Sequence, residues 1–194
     1  MKHYFLIFST LFTLILSQAQ ERKFSLEANY PVPIDDGFVF QNYTGIIDLG
    51  LKYRFYETNV LSLGAGVNGV MLKADFNSYY TNFSTTNYTV QPKVFSEFKL
   101  KNSKIHPYAS LGWSFMTFVA KGSTGPFDGE PIKIDDSNVQ GGINLTAGTL
   151  FDVSKRVFIN FQFDFTNLSK KGNVPNTSYN TQILLLKAGV GFRI

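Results

Sequence analysis

Apolar and polar residues alternate with a period of two along most of this chain, the signature of extended strands with two unlike faces. From Arg156 to Leu168, Val157, Ile159, Phe161, Phe163 and Phe165 share one face. Asn160, Gln162, Asp164 and Thr166 share the other, with Phe158 the exception. Tyr43 to Tyr56 repeats the pattern, with Ile47, Leu49, Leu51, Tyr53 and Phe55 against Asp48, Gly50, Lys52 and Arg54. The last segment sets Leu184, Leu186, Ala188, Val190, Phe192 and Ile194 against Lys187, Gly189, Gly191 and Arg193. Read this way, the chain predicts eight strands, over 22–31, 43–56, 59–75, 88–100, 104–120, 138–152, 155–168 and 180–194. Val70 and Lys73 break the alternation of the third strand, which predicts a bulge there. Pro92 and Pro107 fall inside strands and interrupt pairing locally. No amphipathic helix of useful length appears after residue 20.

The connections alternate strictly between short and long. Strands 2–3, 4–5 and 6–7 join through Glu57-Thr58, 101–103 and Val153-Ser154, whereas the other four links are long and rich in Gly, Asn, Ser, Thr, Asp and Pro. An up-and-down meander then carries every long loop at one end and both termini at the other. With strands long enough for a tilted crossing, this predicts an all-β, eight-stranded antiparallel up-and-down transmembrane β-barrel. The alternative is a secreted, soluble, lipocalin-like barrel that hides its apolar face around an apolar ligand.

Charge separates the two readings. One face carries Glu27, Asp48, Lys52, Arg54, Lys93, Glu97, Lys99, Arg156, Asp164, Lys187 and Arg193, interleaved with Gly. The apolar face of strands 2, 7 and 8 carries essentially none. A Lys or Arg at the bilayer midplane costs about 2–4 kcal/mol, so the charged face must be the lumen. Tyr30, Tyr43, Tyr53 and Tyr88 lie near strand ends, where interfacial girdles sit. Small residues on the polar face, such as Gly50, Gly64, Gly112 and Gly191, leave room inside a narrow barrel.

Composition agrees. The 194 residues include 20 Phe and 10 Tyr, more than a soluble core needs, and no Cys. Zero Cys removes disulfides, thiol nucleophiles and Cys-ligated zinc. The mean hydropathy of −0.03 averages a lipid-facing surface with a polar lumen. The net charge of +4 suggests an anionic partner at first sight. However, the excess lies mostly at the short-turn end, and no nucleic-acid role is expected. At the N-terminus, Lys2, the apolar stretch Tyr4–Leu16 and Ser17-Gln18-Ala19 have the layout of a secretory signal peptide. Residues 1–19 are expected to be the signal and 20–194 the barrel.

Short motifs add a resemblance. Tyr43–Phe55 (YTGIIDLGLKYRF), Val90–Leu100 (VQPKVFSEFKL), His106-Pro107-Tyr108 before Ser110-Leu111-Gly112, and the ending Lys187–Ile194 (KAGVGFRI) resemble the outer membrane protein β-barrel domain family. Its members are small OmpA/OmpX-like barrels of Gram-negative envelopes. The resemblance implies a cell outer membrane location, with periplasmic termini and extracellular long loops. It also implies contact with outer-membrane lipid and with the barrel insertion machinery, which reads a terminal aromatic. Here Phe192 is followed by Arg193-Ile194, a departure from that ending.

An eight-stranded barrel is just wide enough for its own side chains. Buried charges are tolerable only when paired. Glu27, Asp48, Glu97 and Asp164 are therefore expected to share the middle of the lumen with Lys52, Lys93 and Lys187 as a structural ion-pair network. Asp164 should meet Lys187, strand closure should bring Glu27 near Lys187, and Lys93 and Glu97 should share a face. No catalytic residue, cofactor or metal is expected. His106 is the one His after residue 20, and reads as a rim residue. The acidic pairs Asp35-Asp36, Asp128, Glu130, Asp135 and Asp136 read as solvated loop charge. Tyr79, Tyr80, Phe83 and Tyr88 read as interface anchors, with an adhesive surface as the alternative. The expected function is non-enzymatic: envelope structure, surface contact through the long loops, or accessory to a membrane assembly. A narrow porin-like channel for small solutes is the alternative.

Overall fold

The computed structural model describes residues 23–78, 81–101, 103–125, 132–169 and 177–194. The expected signal peptide, Tyr79, Tyr80, Asp128 and Glu130 lie outside the described residues. Eight strands form one closed antiparallel ring in sequence order. They are β1 (Phe24–Pro33), β2 (Thr44–Glu57), β3 (Leu61–Ser78), β4 (Thr81–Phe98), β5 (Ile105–Thr124), β6 (Ile132–Asp152), β7 (Val157–Leu168) and β8 (Gln182–Arg193). The ring closes through β1 and β8, from Ser25 opposite Arg193 to Pro33 opposite Leu185. Two short helices, α1 (Phe38–Asn42) and α2 (Ser178–Thr181), lie in the β1–β2 and β7–β8 connections.

Period two holds in space. On β7, Phe158, Asn160, Gln162, Asp164, Thr166 and Leu168 point inward and are buried, while Phe161 and Phe163 are exposed. The outer wall is a continuous apolar belt that includes Leu49, Leu51, Val67, Val94, Leu111, Trp113, Leu145 and Val190. A belt that wide is far larger than the apolar patches soluble monomers expose.

Three expectations need correction. The bulge predicted in β3 is absent: β3 pairs with β4 without a break from Leu61 to Ser78. Val70, Leu72 and Ala74 simply continue the lumen-facing phase with apolar side chains. The register shifts lie in β2 instead, around Ile46 and Phe55. Secondly, much of what reads as long loop is strand. β3 and β4 pair out to Ser78 opposite Thr81, and β5 and β6 out to Thr124 opposite Ile132. These Thr-, Asn- and aromatic-rich segments have strong strand propensity, but they rise beyond β2 and β7, where few side chains besides Ala74 and Thr85 next to the ring are buried. Alternation is then not required, so its absence misleads. Thirdly, Tyr43 is buried inside the barrel, 6% exposed, rather than at an interface.

The two prolines sit where the ladder tolerates them. The β4–β5 register has no partner for Gln91 or Pro92, and Pro107 pairs with β6 beyond the reach of β4. Glycine makes space for the interior aromatics. A Cβ at Gly191 would lie 2.1 Å from the Phe158 ring, so Gly191→Ala forces Phe158 or the backbone to move. Overpacking of this kind costs about 1–3 kcal/mol. The unfolding free energy from urea titration should fall by that amount, and an unchanged midpoint would refute the packing argument.

Candidate functional site

The lumen is stacked in three zones. At the end with the longer connections, Val39 from α1 and Tyr43 pack with Val70, Leu72, Met116, Leu168, Ile183 and Leu185 in one apolar cluster. α1 is held over the mouth by local contacts. Tyr179 Oη donates to Gln41 Oε1 at 3.1 Å, the Phe38 and Tyr179 rings meet edge-on, and Leu184 N donates to Asp35 Oδ2 at 3.1 Å. Asp35 is thus a structural clamp. Asp135 and Asp136 stand exposed on β6 beyond the ring.

The middle zone is ionic and fully buried. Lys187, with 0% side-chain exposure, places Nζ 2.6 Å from Asp48 Oδ2 and 3.0 Å from Asp164 Oδ2. It also donates to Gln91 Oε1 at 3.3 Å. Lys93 Nζ is 3.8 Å from Asp164 Oδ2. Lys52 pairs with Glu27 at 2.6 Å. Neutral side chains donate to the carboxylates as well. Asp164 accepts from Gln91, Asn144 and Thr146 at 3.2, 2.9 and 3.1 Å, Asp48 from Asn68 at 2.6 Å, and Glu27 from Gln162 at 3.3 Å. Three carboxylates and three ammonium groups therefore balance in this zone, which is the condition for keeping charges out of water.

Below it, Phe95, Tyr108, Leu150 and Phe158 form a second apolar layer. The Lys52 ammonium sits 3.9 Å from the Tyr108 ring centroid and joins the two zones by a cation–π contact. Below the aromatics, at the short-turn rim, Glu97 takes Arg54 at 2.8 Å and Arg193 at 3.5 Å. Arg193 also reaches Asp152 at 2.7 Å, and His106 Nε2 meets Asp152 Oδ2 at 3.0 Å. The other His106 nitrogen, Nδ1, is buried without a hydrogen-bond partner. The pair thus lacks the hydroxyl nucleophile that a His base would activate. No group of His, Cys, Asp and Glu that could hold a metal forms among the described residues.

The expected network is rearranged in two places. Asp164 does meet Lys187, but Glu27 pairs with Lys52 of β2, because closure sets Lys187 opposite Pro31 and Glu27 opposite Gly191. Lys93 and Glu97 share a face of β4, yet Glu97 lies at the rim with arginines, below the aromatic layer. The amides Gln91, Asn68, Asn144 and Gln162, and the rim residues Arg54 and Arg193, were not in the expected network. Their one signal in the sequence is phase: each is polar on the lumen-facing parity.

Comparison with known proteins matches residues 5–192 to the outer membrane protein beta-barrel domain. No curated protein matches the sequence. Among solved structures, Ail of Yersinia pestis aligns over 89% of this chain and 97% of its own, with a TM-score of 0.55 and 16% identity. Neisserial surface protein A aligns over 88% and 97%, with a TM-score of 0.54 and 16% identity. The N-terminal barrel domain of Pseudomonas aeruginosa OprF aligns over 89% and 98%, with a TM-score of 0.53 and 13% identity. At these identities the likeness is one of fold.

Proposed function

Because the chain belongs to the outer membrane protein β-barrel domain family, we propose that it is a non-enzymatic outer-membrane barrel with a sealed lumen. It acts in envelope structure, in surface contact, or as an accessory to a membrane assembly. The observation that carries this reading is the three-zone filling: an ion must pass two apolar layers and a neutralised ionic zone. Dewetted apolar constrictions and paired charges both oppose conduction.

Short turns face the periplasm in barrels of this kind and longer connections face outward. The termini therefore belong inside and the raised β3–β6 wall outside. That wall is the contact surface, edged by Lys73 and Asp75 on β3 and by Lys133, Asp135 and Asp136 on β6. Ail is by name an attachment invasion protein, a role of the kind such a wall would suit here. Outer-membrane lipid covers the apolar belt, and the insertion machinery reads β8 with the ending Phe192-Arg193-Ile194. Residues 1–19 are the export signal.

The test has two readouts. The protein should fractionate with the outer membrane, shift on unboiled SDS gels, and begin at Gln20 by intact mass. In planar bilayers it should give no large, stable conductance steps. Such steps would overturn the sealed reading and favour the narrow-channel alternative.

A further inference from the structure

The short-turn mouth is a cup rather than a passage. A cavity of about 720 Å³ opens there, within the size range of small-ligand sites. Arg54, Glu97 and Arg193 line its inner end, and the Phe95, Tyr108, Leu150 and Phe158 layer lies behind them. The Arg193 guanidinium, 4.7 Å from the Phe158 ring, stands where wall meets floor.

The charge of the wall is one-sided. Lys23, Arg54, Lys99, Lys155 and Arg193 line it, against Glu57, Glu97 and Asp152. Each of these carboxylates is already engaged. Glu97 holds Arg54 and Arg193, Asp152 holds Arg193 and His106, and Glu57 holds Lys99. A cation entering the cup would find no lining carboxylate without a partner, whereas the five lining Lys and Arg side chains outnumber the three lining carboxylates. The cations also come from around the ring: just before β1, from β2, just after β4, from β8 and from the β6–β7 turn. They converge on the cavity from different sides, as a multivalent ligand requires. A recessed wall with a low-dielectric floor focuses such a field.

The geometry points to a binding site for a phosphate-class oxyanion in this cup, separate from the outer contact surface. This assignment does not depend on the sealed-lumen reading, since it needs only the wall and floor of the cup. The occupant is either a soluble phosphate compound or the phosphate of a lipid headgroup reaching over the rim.

The test is calorimetric titration of the folded, full-length barrel with inorganic pyrophosphate. It is done in zwitterionic-lipid nanodiscs at low ionic strength, because the Debye length is about 8 Å at physiological salt. One pyrophosphate should bind per barrel. The double variant Lys99→Gln/Lys155→Gln should weaken binding about tenfold, and Glu57→Gln should strengthen it. These side chains are partly or wholly exposed, so folding should persist, as unboiled gels would verify. Lys101→Gln/Lys104→Gln, outside the cup, should leave binding unchanged. Adding phosphatidylglycerol to the discs distinguishes the sources: competition assigns the cup to a headgroup phosphate, and none assigns it to a soluble one. Absence of saturable binding overturns the assignment. So does equal weakening in the two lysine pairs.

Discussion

Replacing Lys187 with Met should cost the barrel about 3–5 kcal/mol, the largest single loss expected in this protein. Met keeps most of the volume, so the effect is electrostatic rather than a cavity. The Nζ lies within 3.0 Å of both Asp48 and Asp164, at zero side-chain exposure. Without it the middle zone holds three carboxylates against two ammonium groups. Asp164 keeps Lys93 at 3.8 Å, and Glu27 keeps Lys52. Asp48 keeps only neutral donors, Asn68 and Asn29. The double variant Lys187→Met/Asp48→Asn restores the balance and should recover most of the loss. Urea unfolding in lipid vesicles measures both. A single variant within about 1 kcal/mol of the parent would show that Lys187 is not the keystone of the zone.

The second large effect lies next to Asp164, on the opposite face of β7. Phe163 is 54% exposed on the outer wall, beside the inward Asp164 and at the depth of the ionic zone. Phe163→Arg should destabilise the bilayer-inserted barrel by about 2–4 kcal/mol and lower the fraction that folds into vesicles. The matched control is Ser137→Arg, on the part of β6 that pairs only with β5 beyond the ring. That site meets water and should change stability by no more than about 0.5 kcal/mol. Equal, small effects at both positions would place the aromatic belt in water and revive the soluble-barrel reading.

Both predictions rest on which way a side chain points, and that much was legible from the residues alone. The alternation from Arg156 to Leu168 assigned Phe163 outward and Asp164 inward. Phe158, the exception to the apolar face, is inward and belongs to the aromatic layer that floors the lumen. The same kind of exception in β3, at Val70, was misread as a bulge. In both cases the phase was right and the chemistry had switched, because apolar layers lie on either side of the ionic middle of this lumen. The raised wall was hidden for the converse reason. Above the ring the β3–β6 wall buries few side chains, and little burial enforces a pattern.

Strand number, closure, the facing of the lipid belt and the sign of the lumen were determined by the sequence itself. All follow from a single period and from the cost of charge in hydrocarbon, which act residue by residue. Pairing inside the lumen was decided only by the tertiary structure. The stagger between strands sets Glu27 beside Lys52 rather than Lys187, drops Glu97 to the rim, and gathers amides from β3, β4, β6 and β7 around the carboxylates. Stagger belongs to the closed ring as a whole, fixed when β1 meets β8, and no local stretch of residues encodes it.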